Sequence, residues 1–369
     1  MSKNENICIY FGNTKKELTY KKQEHVIPAS LGGKAKLPRG VVSDQANEFF
    51  SKYEMKAVRN TLLSINRNNN GPGKRGSLSV KKVESPQINL FEVIENEQDN
   101  NLDTKYAPVR LGFLFCGTVY MIPQILFLIN NDWSIQLPRI VMDTISENAF
   151  SSTNDFYVEL HNFILNNSKN YIIINSEIKS QLKYIIIGMY NNKWFISTSL
   201  SEKHIKKFIS ILERYRLPEE IPVFPSTVAT YHYHNKLTDA LDDSFPLIYF
   251  KTAFNVLAFF TNCDFVLQNQ FDDIRNAILN LSNLNDFFVK KPMPKWLIEW
   301  VNNVVKPKEH FVVINAENNY IEAYVSFYRE PLSHTIYLSD NYMGDSFRKC
   351  FICNWNNGAE RYYDQLTSH

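Results

Sequence analysis

The sequence predicts a mixed α+β protein with a small N-terminal module, made of two β-arms and a helix, and a larger α+β C-terminal domain. A chain of 369 residues is longer than one typical core requires, and its 44% hydrophobic content supplies apolar surface for more than one. Short β-branched runs and stretches with apolar residues at helical spacing both occur along the chain. We therefore expect strands and helices to be mixed.

The N-terminal module is predicted to contain a strand, a loop, a second strand and a helix, in that order. Residues 7–11 are apolar and β-branched, which indicates a strand or the first arm of a finger-like loop. Residues 41–42 are expected to form the second strand. Ser43 or Asp44 then caps a helix that is expected to run to about Ile65.

Composition divides the chain into three parts. Residues 1–82 hold the module, residues 83–104 are polar and acidic and are predicted to be a linker, and residues 105–369 are predicted to form the larger domain. Its role could be target recognition, sensing or dimerisation. Its main predicted strands are 171–174, 184–187, 194–198, 310–315, 320–328 and 334–338, and its predicted helices are 204–215, 250–261 and 272–281.

The charge of the chain is polarised along its length. The net charge is only +2, but residues 1–82 carry 16 Lys and Arg against 6 Asp and Glu, so the remaining residues are net acidic. A concentrated basic surface attracts polyanions by Coulomb steering and counterion release. The alternative is a basic face that is merely solvated. The basic end is therefore the part of the chain that we expect to meet a polyanion such as nucleic acid.

The sequence favours a cytoplasmic protein without a membrane partner. It contains no run of about 18 uncharged apolar residues, which a membrane span would need. The first residues carry an acid and lack the apolar stretch of a signal peptide. The 5 cysteines are scattered and odd in number, which fits a reducing compartment better than a disulfide framework. Cys350 and Cys353 have no second pair and are predicted to be structural.

The strongest candidate for chemistry is the pair Glu24-His25, which Pro28 and a Gly-Gly turn follow and which Asn47 complements near the start of the predicted helix. Neutral imidazole is available near pH 7 to accept a proton from water. Carboxylate and amide oxygens are hard ligands that suit Mg²⁺ or Mn²⁺. Because adjacent residues on an extended arm point to opposite faces, we expect a bend to let both side chains reach one site.

These residues carry a resemblance to HNH endonucleases, which have the ββα-metal fold. The resemblance covers mainly residues 7–60. It implies that His25 is the general base, that Glu24 and Asn47 hold one divalent Mg²⁺ or Mn²⁺ ion, and that the activity is hydrolysis of phosphodiester bonds, with DNA favoured over RNA. Asp44 or Glu54 could add a third ligand. By analogy, stand-alone nucleases of this kind often serve host defence or mobile elements.

The chain departs from the HNH pattern at two places. Many such domains bind a structural zinc through two Cys-x-x-Cys pairs, but the expected partners of Cys8 are here Phe11, Ser43 and Ala46, so a structural zinc is not expected. We expect apolar packing to replace it. The middle asparagine of the pattern would fall near residues 38–40 and is absent, which leaves open how His25 is oriented.

Cations beyond the motif could bind the phosphates of a nucleic acid. The candidate contacts are Arg39, Arg59, Arg67, Lys74 and Arg75. Lys74 and Arg75 lie in a glycine-rich loop that lacks the spacing of a nucleotide-binding P-loop. A plain solvated loop is the alternative for this pair. Whether two chains form a homodimer is left open.

Three hypotheses for function follow from the sequence. The first is an active endonuclease with His25 as its base. The second is a catalytically inactive HNH-like protein that binds nucleic acid or acts as a sensor. The third assigns the enzymatic or sensing role to the larger domain, with the N-terminal module as an accessory.

Overall fold

The structure is a computed structural model that describes the chain in segments. The described residues are 6–12, 17–71, 88–94, 109–116, 118–130, 132–135, 139–142, 153–165, 171–175, 183–212, 223–225, 230–233, 244–289, 291, 293–329 and 334–366. Helices and strands both contribute substantially, so the predicted mixed α+β class is confirmed. No described helix has the length and apolar character that a membrane span requires.

The regular elements are numbered in chain order. The helices are α1 (Asp44–Asn60), α2 (Leu62–Asn70), α3 (Thr153–Leu165), α4 (Glu202–Leu212), α5 (Ser244–Phe260), α6 (Cys263–Val266), α7 (Asp272–Asn280) and α8 (Lys295–Val304). The strands of the first half are β1 (Asn89–Ile94), β2 (Val109–Phe115), β3 (Thr118–Met121), β4 (Gln124–Ile129), β5 (Arg139–Met142), β6 (Tyr171–Asn175), β7 (Lys183–Tyr190) and β8 (Lys193–Thr198). The later strands are β9 (Val223–Pro225), β10 (Thr230–Tyr233), β11 (Phe288–Val289), β12 (His310–Glu317), β13 (Tyr320–Ser326), β14 (His334–Ser339), β15 (Phe347–Asn354) and β16 (Ala359–Tyr363).

The chain divides into two units that differ from the three parts expected from composition. Unit 1 combines Met1–Pro86 with Leu241–His369, and unit 2 is the intervening Gln87–Ala240. The N-terminal segment therefore packs with the last third of the chain. The expected linker 83–104 contains strand β1, and the rest of it lies outside the described residues.

Helix α5 is the central element of unit 1. Most of its residues are apolar, and every residue from Ser244 to Ala258 is buried. A helix that is apolar on all sides has to be enclosed on all sides. α5 accordingly packs against α1 and also against β12, β13 and β14. Any polar side chain on α5 must find its partners inside the unit.

The sheet of unit 1 is antiparallel, with strand order β11-β14-β13-β12-β15-β16 within the described residues. Sequence neighbours pair directly, for example β12 with β13 through Val313 and Tyr324. Along β12 and β13 nearly every residue is buried, since one face meets α5 and the other meets a cluster that includes Leu297 and Trp300 of α8. The predicted strands at 310–315, 320–328 and 334–338 are confirmed by β12, β13 and β14.

Unit 2 contains two sheets among its described residues. The strand orders are β10-β1-β2-β3 and β6-β8-β7-β4-β5-β9. Side chains of α3 and α4 pack on the second sheet in an apolar cluster centred on residues such as Phe127, Ile187 and Phe208. Asn191 and Asn192 form the turn that joins β7 to β8, and both adopt the positive φ that such a turn requires.

The N-terminal segment differs in detail from the prediction. Residues 7–11 form a tight turn closed by a bridge between Cys8 and Gly12, and residues 41–42 form a bend instead of a strand. Ser43 caps α1 as predicted, because its side chain accepts a hydrogen bond from the amide of Ala46. The predicted single helix breaks at Thr61, whose backbone is extended and whose hydroxyl caps α2 by accepting from Leu63 N.

Candidate active site

Glu24 and His25 lie on the first arm of a short antiparallel hairpin. His25 bridges Lys36 on the second arm, and two backbone hydrogen bonds flank this pair, from Val26 N to Ala35 O and from Leu37 N to Glu24 O, both at 2.9 Å. In the described chain each arm consists of an isolated bridge and is not a regular strand. Residues 41–42, which were expected to form the second strand, are not part of this hairpin.

The Gly-Gly sequence closes the turn of this hairpin. Gly32 has a φ of 92°, in the left-handed region that favours glycine. A Cβ atom on Gly33 would lie 1.9 Å from the carbonyl oxygen of Ile27, so no larger residue fits against that backbone. The chain bends at residues 26–27, between His25 and this turn. The predicted bend is therefore present beside the motif.

Asn47 lies in the first turn of α1. Neither its Oδ1 nor its Nδ2, both buried, has a hydrogen-bond partner among the residues that the structure describes. Buried amide groups are almost always hydrogen-bonded, so an unpartnered pair of this kind requires an explanation such as a bound ion or water. The same holds for Ser30 Oγ in the hairpin turn.

Most of the predicted site residues line one cavity of about 740 Å³. The lining includes Glu24, His25, Asp44, Asn47, Glu54, Arg59 and Arg67, together with Lys22, Ser30 and Glu48. His25 and Asn47, which are 22 positions apart in the sequence, thus reach the same space. Arg39 is exposed and does not line this cavity, and Lys74 and Arg75 lie outside the described residues.

A buried lysine from α5 meets the carboxylates of the site. Lys251, which is 1% exposed, donates to Glu24 Oε1 at 2.5 Å and also to Glu54 Oε1. Burial alone would lower the pKa of Lys251, but the two carboxylates outweigh burial and raise it well above its usual range. Burial raises the pKa of Glu54, the Lys251 ammonium opposes that shift, and the Glu24 carboxylate adds to it. The ammonium therefore remains charged beside the proposed metal ligand.

Asn255, one helical turn after Lys251, contacts the neighbouring residue of the motif. Its Nδ2 donates to the backbone oxygen of His25 at 3.0 Å, while its Oδ1 accepts from the Tyr10 hydroxyl at 2.7 Å. Burial raises the pKa of that hydroxyl well above its usual value, and the nearby charge of Glu24 adds to the effect. Tyr10 is therefore a neutral donor that fixes which way the Asn255 amide faces.

Asp44, the first residue of α1, uses both carboxylate oxygens within the protein. Oδ2 accepts from the Thr19 hydroxyl at 2.7 Å and from Lys21 N at 2.9 Å, and Oδ1 accepts from Lys22 N at 2.9 Å. Partial desolvation raises its pKa slightly, but these donors bind the charged form and the net shift is downward. Asp44 thus holds residues 19–22 against the start of α1.

Two arginines place positive charge along the cavity. Arg59 is exposed in the last turn of α1, and Arg67 is buried on α2. Burial lowers the pKa of Arg67, but a guanidinium stays protonated at any physiological pH. Both side chains can therefore face an anion that enters the cavity.

The sheet of unit 1 also binds the hairpin. The Glu360 carboxylate accepts from Lys34 N at 2.8 Å and from Ala35 N at 2.7 Å. The His310 ring lies between two backbone groups: Tyr328 N donates to Nδ1 at 2.8 Å, so the ring proton is on Nε2, which donates to Leu31 O at 2.9 Å. The arm that follows the Gly-Gly turn is consequently held by residues from the end of the chain.

Each of the two proposed metal ligands has one oxygen atom that could bind a divalent cation. Glu24 uses Oε1 for Lys251, and no described residue donates to its Oε2. Asn47 Oδ1 is the second such atom. Within the described part of the chain no group of three or more His, Cys, Asp or Glu side chains is arranged to bind a metal ion. A cation here would therefore need further oxygen ligands from water or substrate.

The cysteines are buried or half-buried free thiols. Cys8 Sγ accepts hydrogen bonds from the amide and the hydroxyl of Ser43, both at 3.4 Å, and so supports the start of α1. Cys350 and Cys353 are buried on β15, where burial raises the pKa of each thiol. In these environments the three side chains contribute to packing.

Lys251 and Asn255 are the site residues that the sequence did not suggest. The only signal is their presence, four positions apart, in a helix that is otherwise mostly apolar. Comparisons with protein-family models, with curated proteins and with solved structures find no match for this chain. The candidate site therefore has to be interpreted from its own geometry.

Proposed function

We propose that the chain is a metal-dependent endonuclease that hydrolyses phosphodiester bonds of nucleic acid, with DNA favoured over RNA. The observation that supports this most strongly is the convergence of Glu24, His25 and Asn47 on one cavity that arginines also line. A base, a carboxylate and an amide that line the same cavity are the groups that metal-assisted hydrolysis requires. The basic character of residues 1–82 favours a polyanionic substrate.

His25 is the proposed general base. It is half-buried and lines the cavity. An imidazole with an ordinary pKa of about 6.5 is mostly neutral at pH 7 and accepts a proton from an attacking water. The hydrogen bond from Asn255 to the His25 backbone supports this role because it restricts the peptide that carries the ring.

Glu24 and Asn47 are the proposed ligands of one Mg²⁺ or Mn²⁺ ion. When bound, such an ion supplies positive charge against the charge that develops on the phosphate and the departing oxygen. Oε2 of Glu24 and Oδ1 of Asn47 are the oxygens that would hold it. Arg59 and Arg67 would bind neighbouring phosphates and hold the backbone in register.

One observation favours the second candidate, an inactive protein that binds nucleic acid. Lys251 already neutralises part of the negative charge of Glu24 and Glu54, which weakens the attraction for a divalent cation. A binding protein would keep the basic surface and the arginines but would not need a ligand set. The two candidates differ in one measurable property, which is metal-dependent cleavage.

The test is cleavage of supercoiled plasmid by the full-length protein with Mg²⁺ or Mn²⁺. We expect His25→Ala to reduce the rate by roughly 10²-fold or more, since general-base assistance contributes 10²–10⁴-fold. His161→Ala, an exposed position on α3, is the matched control and should cleave like the wild type. Retardation of DNA without cleavage at any metal concentration would select the binding protein. Equal cleavage by wild type and His25→Ala would remove His25 as the base.

A further inference from the structure

Helix α5 contacts both members of the Glu24-His25 pair. Lys251 holds the side chain of Glu24, and Asn255 holds the backbone of His25. Residues four apart on a helix lie on the same face, one turn apart. The two contacts therefore come from one rigid surface and act on two consecutive residues of the hairpin.

The hydrogen bonds of Asn255 define which end of its side-chain amide faces His25. An amide side chain can rotate by half a turn and exchange its donor with its acceptor. Here Tyr10 donates to Oδ1, so Nδ2 is left to donate to His25 O. The Asn255 side chain is fully buried, which leaves no water to compete for either group. The position of the His25 peptide is thus defined relative to α5.

The Lys251 contact engages one oxygen of Glu24 only. One ammonium meets two carboxylates, so the group has a net negative charge of one and Glu24 keeps Oε2 for another partner. A buried ion pair of this kind often stabilises a fold less than apolar residues of the same volume would. In the centre of unit 1 this pair fixes the position of the Glu24 carboxylate relative to α5.

We propose that Lys251 and Asn255 are positioning residues of the active site, so that the N-terminal hairpin becomes competent only when α5, from beyond residue 240, is packed against it. This inference rests on the roles proposed above for Glu24 and His25. It deepens them by assigning the orientation of the base and of the metal ligand to a helix from the other end of unit 1.

The Asn255 contact is tested with a pair of full-length variants. Tyr10→Phe is the control, because it removes one partner of Asn255 and leaves the bond to His25. Tyr10→Phe/Asn255→Leu removes that bond as well, without leaving a buried hydroxyl unpaired. We expect kcat of the double variant to fall about 10- to 100-fold below the control with KM unchanged, as for a small misplacement of a reacting group.

The Lys251 contact is tested with a second pair. Glu54→Gln is the control, because Lys251 keeps its bond to Glu24. Lys251→Met/Glu54→Gln removes the ammonium together with one carboxylate, so the remaining group has the same net charge as in the wild type. We expect the thermal midpoint of the double variant to stay near that of the control while kcat falls at least 10-fold.

A spectroscopic measurement makes the result independent of cleavage. In metal-free protein the ring Cε1–H signal of His25, assigned by its loss in His25→Gln, should broaden or shift in both double variants and not in their controls. Absence of cleavage by the wild type would overturn the nuclease function, while the ring signal would still decide the positioning role. Double variants with the kcat and ring signal of their controls would overturn the positioning role and leave the nuclease standing.

Discussion

The described interiors of the two units differ in how many charged side chains they bury. Among the described residues, unit 1 buries the charged side chains of Glu24, Lys251, Glu309 and Glu322, each with a hydrogen-bonded partner. The main cluster of unit 2 consists of aliphatic and aromatic side chains, although this unit also buries the charged side chain of Arg110. Its buried Gln124 uses its amide to bind the backbone of Leu111 and Ile122.

The buried charges of unit 1 include the groups of the candidate site, whereas the apolar cluster of unit 2 contributes to stability. Buried charge destabilises a fold unless every group is paired, and it is retained where a site needs it. Hydrocarbon burial stabilises without directing a proton or a cation. We therefore expect substitutions in the apolar cluster of unit 2 to change stability alone. Substitutions at the buried titratable groups of unit 1 are expected to change how stability depends on pH.

The largest expected effect is on the core of unit 2. Phe127 is fully buried and packs edge-to-face on Phe208, with ring centroids 5.2 Å apart. Phe127→Ala should lower the free energy of unfolding by about 3–5 kcal/mol, because a cavity replaces the ring. Denaturant unfolding followed by hydrogen exchange checks this, with loss of protection expected in β4 and β7. Val158→Ala, at a largely exposed position, is the control. Equal loss of protection in α1 and α5 would contradict the separation of the units.

The second largest expected effect is that the stability of unit 1 depends on pH. Burial lowers the pKa of His310 to about 4, from an ordinary 6.5. The unfolded chain then binds a proton before the folded one does, so stability falls as pH drops from about 6.5 towards 4, by roughly 3 kcal/mol from this residue. Burial of His334, whose pKa falls to about 3, acts in the same direction.

The pH effect is measured as unfolding free energy between pH 7 and 4. His310→Gln removes the titrating ring and should flatten the slope, although it lowers stability at pH 7. His204→Gln, at a partly exposed position in unit 2, should leave the slope unchanged. A slope that persists in His310→Gln at its full size would assign the acid sensitivity to other groups.

The smallest expected effect is the difference in stability between alanine substitutions at two glycines. An added Cβ at Gly33 would meet the Ile27 carbonyl oxygen at 1.9 Å, whereas at Gly188 on β7 it would meet Ile122 Cδ1 at 2.8 Å. The methyl group at the end of a side chain can move, whereas a backbone carbonyl group in a tight turn moves little. We expect Gly33→Ala to cost about 2 kcal/mol or more and Gly188→Ala about 1 kcal/mol. Thermal unfolding of the two variants side by side measures the difference, and a larger loss in Gly188→Ala would reverse the comparison.

Local features of the fold were accessible to sequence reasoning. The Asn191-Asn192 turn, the Ser43 cap and the predicted strands (β6, β7, β8, β12, β13 and β14) depend on residues that are close in sequence. The break at Thr61 was missed because threonine tolerates both a helix and a cap. Residues 41–42 are β-branched, but Val41 N donates to Pro38 O and closes a turn, so these residues bend.

Only part of the candidate site could be predicted from the sequence. Glu24, His25 and Asn47 form a local motif, and its chemistry suggested one site. The division into units could not be predicted, because it depends on contacts such as Lys251 with Glu24, 227 positions apart. An apolar segment such as α5 is predicted to lie in the core. The neighbouring sequence does not indicate which of its few polar residues contacts a hairpin that is distant in the chain.

Because unit 1 consists of two segments that are far apart in the sequence, its two parts are synthesised at different times. A ribosome that has completed residues 1–86 has already made Glu24, His25 and Asn47, but it reaches Lys251 and Asn255 only after all of unit 2 has been translated. A prematurely terminated chain would therefore contain the whole motif without the helix that sets it. Under the proposed nuclease function, incomplete synthesis would yield a fragment that carries the motif without the contacts from α5.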